Sequence, residues 1–94
     1  KEKEVAEFYE RLKVELDNRN TWPAEYLFKF IMPAVGDNAK KVENAFDCMG
    51  AVIKTTKSKT GKFISLSVDV TMKDSQEIIE KYQELSTIEG IVSL

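Results

Sequence analysis

The chain has 94 residues, with 14 Lys and Arg against 16 Asp and Glu, one Cys and no His. Without His the chain cannot form a Ser-His-Asp triad, a Cys-His pair or the commonest zinc sites, so we predict no metal or cofactor. One Cys forms no internal disulfide. A formal net charge of -2 lacks the basic excess that drives most nucleic-acid binding, which argues against nucleic acid as the partner.

The first segment, residues 1–20, has the spacing of an amphipathic helix. Val5, Phe8, Leu12 and Leu16 recur at steps of three and four residues and form one apolar stripe between charged positions. We expect this helix to cover part of the core, with docking on a partner as the alternative.

The rest of the chain alternates between strand and helix patterns. Two apolar stripes at helical spacing predict helices, one from Asp37 as N-cap to Gly50 and one that begins with a capping box of Asp74 and Glu77. A turn at residues 59–61 should join the second and third strands in a hairpin. Runs rich in aromatic and β-branched residues predict four strands, at residues 26–32, 51–58, 62–72 and 91–94.

This order of strand, helix, strand occurs twice. It predicts an α+β, ferredoxin-like βαββαβ sandwich, with a four-stranded antiparallel sheet, two helices on one face and an extra N-terminal amphipathic helix. We divide the chain into a helical extension, residues 1–20, and a ferredoxin-like domain, residues 22–94. In the third strand, the apolar residues of the alternating pattern should face the helices.

The composition also indicates a cytoplasmic protein. The sequence has no signal-peptide pattern and no run of about 20 apolar residues that would cross a membrane. A lone cysteine suits a reducing compartment. Because the first residue is Lys1 rather than Met, we expect the sequence to begin after a trimmed start.

The hairpin carries the only dense cluster of one charge. One interpretation is a solvated hairpin whose lysines oppose edge-to-edge aggregation. The other is a binding site for an anion: phosphate, a nucleic-acid backbone or an acidic protein. The candidate residues are Lys54, Lys57, Ser58, Lys59, Gly61, Lys62 and Ser65.

Two single residues have more than one interpretation. Lys29 lies between Leu27 and Ile31 in an otherwise apolar strand, so it is either a partly buried base or anion ligand, or a lysine that reaches the sheet edge or pairs with Asp69. Cys48 is expected to be a small buried hydrophobe. We predict no catalytic residue.

Three functions that similar folds host lack their residues here. Thr60-Gly61-Lys62 precedes a strand, whereas a P-loop precedes a helix. The central strand has no aromatic pair to stack RNA bases on its open face. Acylphosphatase chemistry needs an arginine in the loop before the first core helix, and the only arginines are Arg11 and Arg19.

Three segments resemble, in the same order, the YbeD-like family of small bacterial proteins, a domain of unknown function. The resemblance covers residues 22–94 and implies a ferredoxin-like fold similar to the ACT regulatory domains, which bind amino acids and dimerise. Met32 departs from the family, which tends to have glycine there, and the first helix is longer than the usual leader. The segments are Trp22-Pro23 leading into Tyr26-Leu27-Phe28-Lys29-Phe30-Ile31, then Ser58-Lys59-Thr60-Gly61-Lys62-Phe63-Ile64-Ser65-Leu66-Ser67, then Tyr82-Gln83-Glu84-Leu85 with Ile88.

These observations predict a non-enzymatic cytoplasmic binding or regulatory module that senses a small molecule or protein partner and pairs as a homodimer through its sheet. Leu27 and Ile31 need a cover on the face away from the helices, from the N-terminal stripe or from a second subunit. The alternative is an adaptor that binds nucleic acid or an acidic partner through residues 54–62. An enzyme that relies on Lys29 is the third hypothesis.

Overall fold

The computed structural model describes residues 2–94; Lys1, which the predicted first helix included, lies outside them. The four strands form one antiparallel sheet in the order β2-β3-β1-β4. This confirms the predicted α+β class and the antiparallel sheet. The elements are α1 Glu2–Arg19, β1 Ala24–Pro33, α2 Asn38–Ala45, β2 Val52–Lys57, β3 Phe63–Met72, α3 Ser75–Leu85 and β4 Val92–Ser93.

The core lies between the central strands β1 and β3 and the helices. Every second residue of β3, from Ile64 to Met72, is buried, and the residues between are exposed or half-buried. Phe28, Phe30 and Met32 of β1 bury their side chains on the same face, as the alternation predicts. Burial of these residues is the main favourable term for folding a chain of this size.

A capping box fixes the start of α3. The backbone N–H of Glu77 donates to Asp74 Oδ1 over 2.8 Å, as predicted for this pair. The carboxylate of Glu77 accepts from the N–H of Lys73 over 2.9 Å, one residue earlier than in the usual box. The first of these hydrogen bonds satisfies an N–H group that the helix itself leaves unpaired, and the second joins the residue before the N-cap to the first turn.

The predicted end of α2 at Gly50 is wrong, because the helix ends at Ala45. The ammonium group of Lys81 on α3 donates to the Ala45 carbonyl and so satisfies the helix end from another element. Cys48 has φ 62°, in the left-handed region, so the helix does not continue through it. Cys48 is also exposed, which corrects the prediction that it is buried.

Helix α1 packs against α3, on the covered side of the sheet. Leu16 near its end is buried in the core, whereas Val5 and Phe8 nearer its start remain 52% and 53% exposed. The hypothesis that this stripe covers Leu27 and Ile31 on the other face of the sheet is therefore wrong. That face is left open by α1, α2 and α3.

Asp17 ties the end of α1 to the rest of the molecule. The side chain of the buried Ser75 is the main cause that holds the pKa of Asp17 below its usual value of 3.8. The indole N–H of Trp22 also donates to Asp17 Oδ1, over 3.0 Å. Both interactions favour the ionised carboxylate, so α1 is held best when Asp17 is charged.

We expect acid to loosen this end of α1. A carboxylate whose pKa is lowered by folding stabilises the fold above its unfolded pKa, and that contribution disappears as the pH falls below 3.8 and through the folded pKa. Trp22 is the only tryptophan, so its fluorescence during an acid titration reports the change. Asp17→Asn should alter the Trp22 signal already at neutral pH and remove this acid step; an unchanged step in Asp17→Asn would contradict the assignment.

Candidate functional site

Two lysines flank a serine across the open face of the sheet. In the strand register, Ser67 on β3 lies opposite Lys29 on β1 and also opposite Lys54 on β2. Neighbouring strands lie about 4.8 Å apart, so the two lysine backbones are about 10 Å apart with the serine midway. We call this set, Lys29, Ser67 and Lys54, the lysine row.

The next row of the same face is apolar at both ends and acidic in the middle. Asp69 lies opposite Leu27 and opposite Val52, whose side chains are 51% and 61% exposed. This row and the lysine row together line a shallow cavity of about 430 Å³. The open face thus offers two cationic groups, one anionic group and two apolar side chains within one small area.

The charged groups of this face have no ion-pair partner among residues 2–94. The structure therefore contradicts the predicted pairing of Lys29 with Asp69, because the register sets Leu27 rather than Lys29 opposite that carboxylate. Lys29 is exposed, so its interpretation as a partly buried base is also wrong. The ion pairs of the described residues are Lys13 to Asp17, Arg19 to Glu15, Lys41 to Asp37 and Lys81 to Glu84.

The other predicted site residues do not form a single site. Lys54 and Ser65 lie on the open face with Lys29, whereas Lys57 lies opposite Ile64 and so on the other face. The residues of the turn, Ser58, Lys59, Gly61 and Lys62, are exposed at the hairpin tip.

Ser58 has a structural part in that turn. Its hydroxyl accepts from the N–H of Phe63 over 3.2 Å, and its carbonyl accepts from the N–H of Gly61 over 3.0 Å. Both hydrogen bonds close the hairpin. Its side chain is therefore engaged in the fold, while the lysines beside it remain available to solvent.

Residues 17–94 match a family described as "Protein of unknown function (DUF493)". The chain belongs to this family. No curated protein matches the chain. Family membership confirms the resemblance to the YbeD-like proteins and leaves the function to be inferred from the site.

Solved structures resemble the fold of this DUF493 chain. The solution structure of HP0495 from Helicobacter pylori superposes with a TM-score of 0.61 at 20% identity, covering 80% of this chain and 85% of that chain. A second solution structure of HP0495 gives 0.55 at 22% identity, covering 78% and 87%. The ACT domain from the GTP pyrophosphokinase of Chlorobium tepidum gives 0.56 at 8% identity, covering 76% of this chain and all 100% of that chain.

At these identities the likeness shows the fold alone, and it confirms the ferredoxin-like, ACT-like architecture. Within residues 2–94, none of the helices has the length and apolar composition needed to cross a bilayer.

Proposed function

We propose that this chain is a non-enzymatic regulatory module that binds an apolar α-amino acid on the open face of its sheet. The observation that carries the proposal is the lysine row, in which two unpaired ammonium groups flank the Ser67 hydroxyl. A carboxylate between them accepts charge-assisted hydrogen bonds from both lysines. The likeness to an ACT domain supports a regulatory part at the level of the fold.

The second row explains why the ligand should be a zwitterion. Asp69 lies two residues from Ser67 on the same strand and face, about 7 Å away along the backbone, where it accepts hydrogen bonds from the ligand's ammonium group. Leu27 and Val52 flank that carboxylate and offer exposed apolar surface to the ligand's side chain. Each part of an apolar amino acid thus has a matching group.

We propose in addition that two copies pair through the open face when it holds no amino acid, because pairing uses the same groups as the ligand. The face carries both signs of charge in adjacent rows, so a twofold axis between the rows sets Lys29 or Lys54 of one copy against Asp69 of the other. Such pairing also shields Leu27 and Val52 from water. A solution mass that stays monomeric at high protein concentration, with and without ligand, would remove this part.

The binding test compares three probes that differ by one group each. We expect L-leucine to raise the melting temperature, because a ligand that binds only the folded state stabilises it. The same carbon skeleton without its amino group, 4-methylpentanoate, and without its carboxylate, 3-methylbutylamine, should bind about tenfold more weakly, because each lacks one charged group of leucine. Equal shifts with all three probes would contradict the zwitterion site.

Two double variants separate the open face from the hairpin tip. Lys29→Gln with Lys54→Gln should weaken leucine binding about tenfold, whereas Lys59→Gln with Lys62→Gln removes the same charge from the tip and should leave it unchanged. The tip lysines are exposed and unpaired among the described residues, which favours the alternative of an anion-binding adaptor. The adaptor would replace the amino-acid module if the chain binds a polyanion in a salt-sensitive way and only the tip variant abolishes that binding.

A further inference from the structure

A cavity of about 580 Å³ lies between α1 and the C-terminal segment. Phe8 and Leu12 of α1, Leu85 of α3 and Ile91 give it apolar walls. Tyr26 and Tyr82 also line the cavity, and their hydroxyls are hydrogen-bonded to each other over 2.9 Å. Burial, and then the hydrogen bond to Tyr26, raises the pKa of Tyr82 far above its usual value, so Tyr82 stays neutral.

The edge of β1 beside this cavity is unpaired within residues 2–94. Strand β4 covers only Phe30 and Ile31, and the last contact of the ladder is the N–H of Leu94 donating to the carbonyl of Lys29 over 2.9 Å. Backbone groups alternate from side to side along a strand, so the N–H and C=O of Glu25 and Leu27 point to the same side as the carbonyl of Lys29. They form a short row of hydrogen-bonding groups open to a further strand.

We propose that this edge and the cavity together bind an extended peptide segment of a protein partner, which adds to the sheet as an antiparallel strand next to β1. Such strand addition takes its affinity from backbone hydrogen bonds and its specificity from pockets for alternate side chains. Both the edge and the pocket are present here, next to each other. The cavity beside the free edge is lined by Tyr26 of β1, by Ser93 of β4 and by Leu94 after it.

The register of the edge defines the sequence that the segment carries. Residues that pair across two strands share a face, so the peptide residue opposite Tyr26 enters the apolar cavity and is itself large and apolar. The residue before it lies opposite Leu27 on the open face and is apolar, since Leu27 is half exposed there. The residue after it lies opposite Glu25, which is exposed and without an ion-pair partner in the described chain, and is basic. Read from its N-terminus, the segment is apolar, apolar, basic.

A second copy of the chain fits this place less well than a single extended segment. Its own Tyr26 is hydrogen-bonded to Tyr82, and its Phe28 is fully buried. Neither side chain is free to leave its core and fill the cavity of a neighbour. Paired β1 edges would therefore share backbone hydrogen bonds but leave about 580 Å³ empty in each copy.

The test uses the whole chain and the acetylated, amidated peptide Thr-Leu-Phe-Lys-Thr, followed by amide NMR. We expect saturable shifts and slower hydrogen exchange at the N–H groups of Glu25 and Leu27, which gain partners. Placing alanine where the peptide has Phe should weaken binding about tenfold, because the cavity then holds no large side chain. Absence of shifts at this edge with millimolar peptide would overturn the proposal.

A charge exchange tests the register separately. Glu25→Lys should weaken the lysine peptide about fivefold, and Thr-Leu-Phe-Glu-Thr should recover that loss on the same variant. Because Glu25 is exposed, this substitution is expected to leave the melting temperature within about 2 °C of the parent protein. Failure of the exchange at an unchanged melting temperature would overturn the proposal in this form.

Discussion

Replacing Phe28 with alanine is expected to lower the free energy of unfolding by about 3–5 kcal/mol. Phe28 is fully buried, and its ring lies 4.7 Å from that of Tyr26, 4.9 Å from that of Phe46 and 5.2 Å from that of Tyr82, measured between centroids. Truncation removes the apolar contact and leaves a cavity that β1, held on both sides near its middle, closes only in part. Small domains are stable by only about 5–15 kcal/mol, so this one change is a large fraction of the total.

Urea denaturation followed by circular dichroism measures the change, and Phe63→Ala is the matched control. Phe63 lies at the start of β3 with 49% of its surface exposed, so the same deletion should cost about 1 kcal/mol there. Similar costs at the two positions would show that the aromatic cluster around Phe28 does not hold the core together.

Gly90→Ala should destabilise the protein by about 3 kcal/mol. Gly90 has φ 81°, a left-handed conformation that side chains disfavour. A Cβ built there would lie 2.8 Å from Cγ and 3.0 Å from Cδ of Pro33, the last residue of β1. The proline ring belongs to a strand that is paired with β3, so either the ring or the C-terminal segment has to move.

Gly61→Ala separates the backbone cost from the collision. Gly61 has a similar φ of 73°, but no atom lies within 4 Å of the Cβ built there. The hairpin variant should therefore lose only about 1–2 kcal/mol, the cost of the left-handed conformation for a residue with a side chain. Equal losses in the two variants, measured by urea denaturation, would mean that contact with Pro33 contributes nothing.

The parts of the fold that could be predicted from sequence are those that local patterns determine. The alternation in β3 and the capping box of Asp74 and Glu77 depend on neighbours within a few residues, so the sequence alone identifies them. The end of α2 depends instead on Lys81, which is 36 residues away from the carbonyl it reaches, and no local pattern indicates that contact. The packing of α1 against α3 likewise depends on contacts between distant residues, which no local pattern predicts.

The candidate site was predictable only in its separate members. Lys29 and Lys54 stand out as charges in strand sequences, but their meeting across Ser67 depends on the registers of two strand pairs, which the sequence does not determine. Ser67 was missed for that reason, and Asp69 was named only as a possible ion-pair partner of Lys29, since each looks like an ordinary polar residue of the outward face. The cavity beside Tyr26 could not be predicted from the sequence, because α1 forms one of its walls and the position of α1 depends on tertiary contacts.

Leu27 belongs to both proposed binding surfaces. Its side chain lies in the apolar row of the open face, while its backbone N–H and C=O point to the free edge of β1. An amino acid that fixes the side chain and a peptide that fixes the backbone both order the same residue, so each binding event lowers the entropy that the other has to remove. Linkage then requires the two ligands to strengthen one another by the same factor, whichever binds first. Through Leu27, binding of the amino acid would thus regulate how tightly the chain binds its peptide partner.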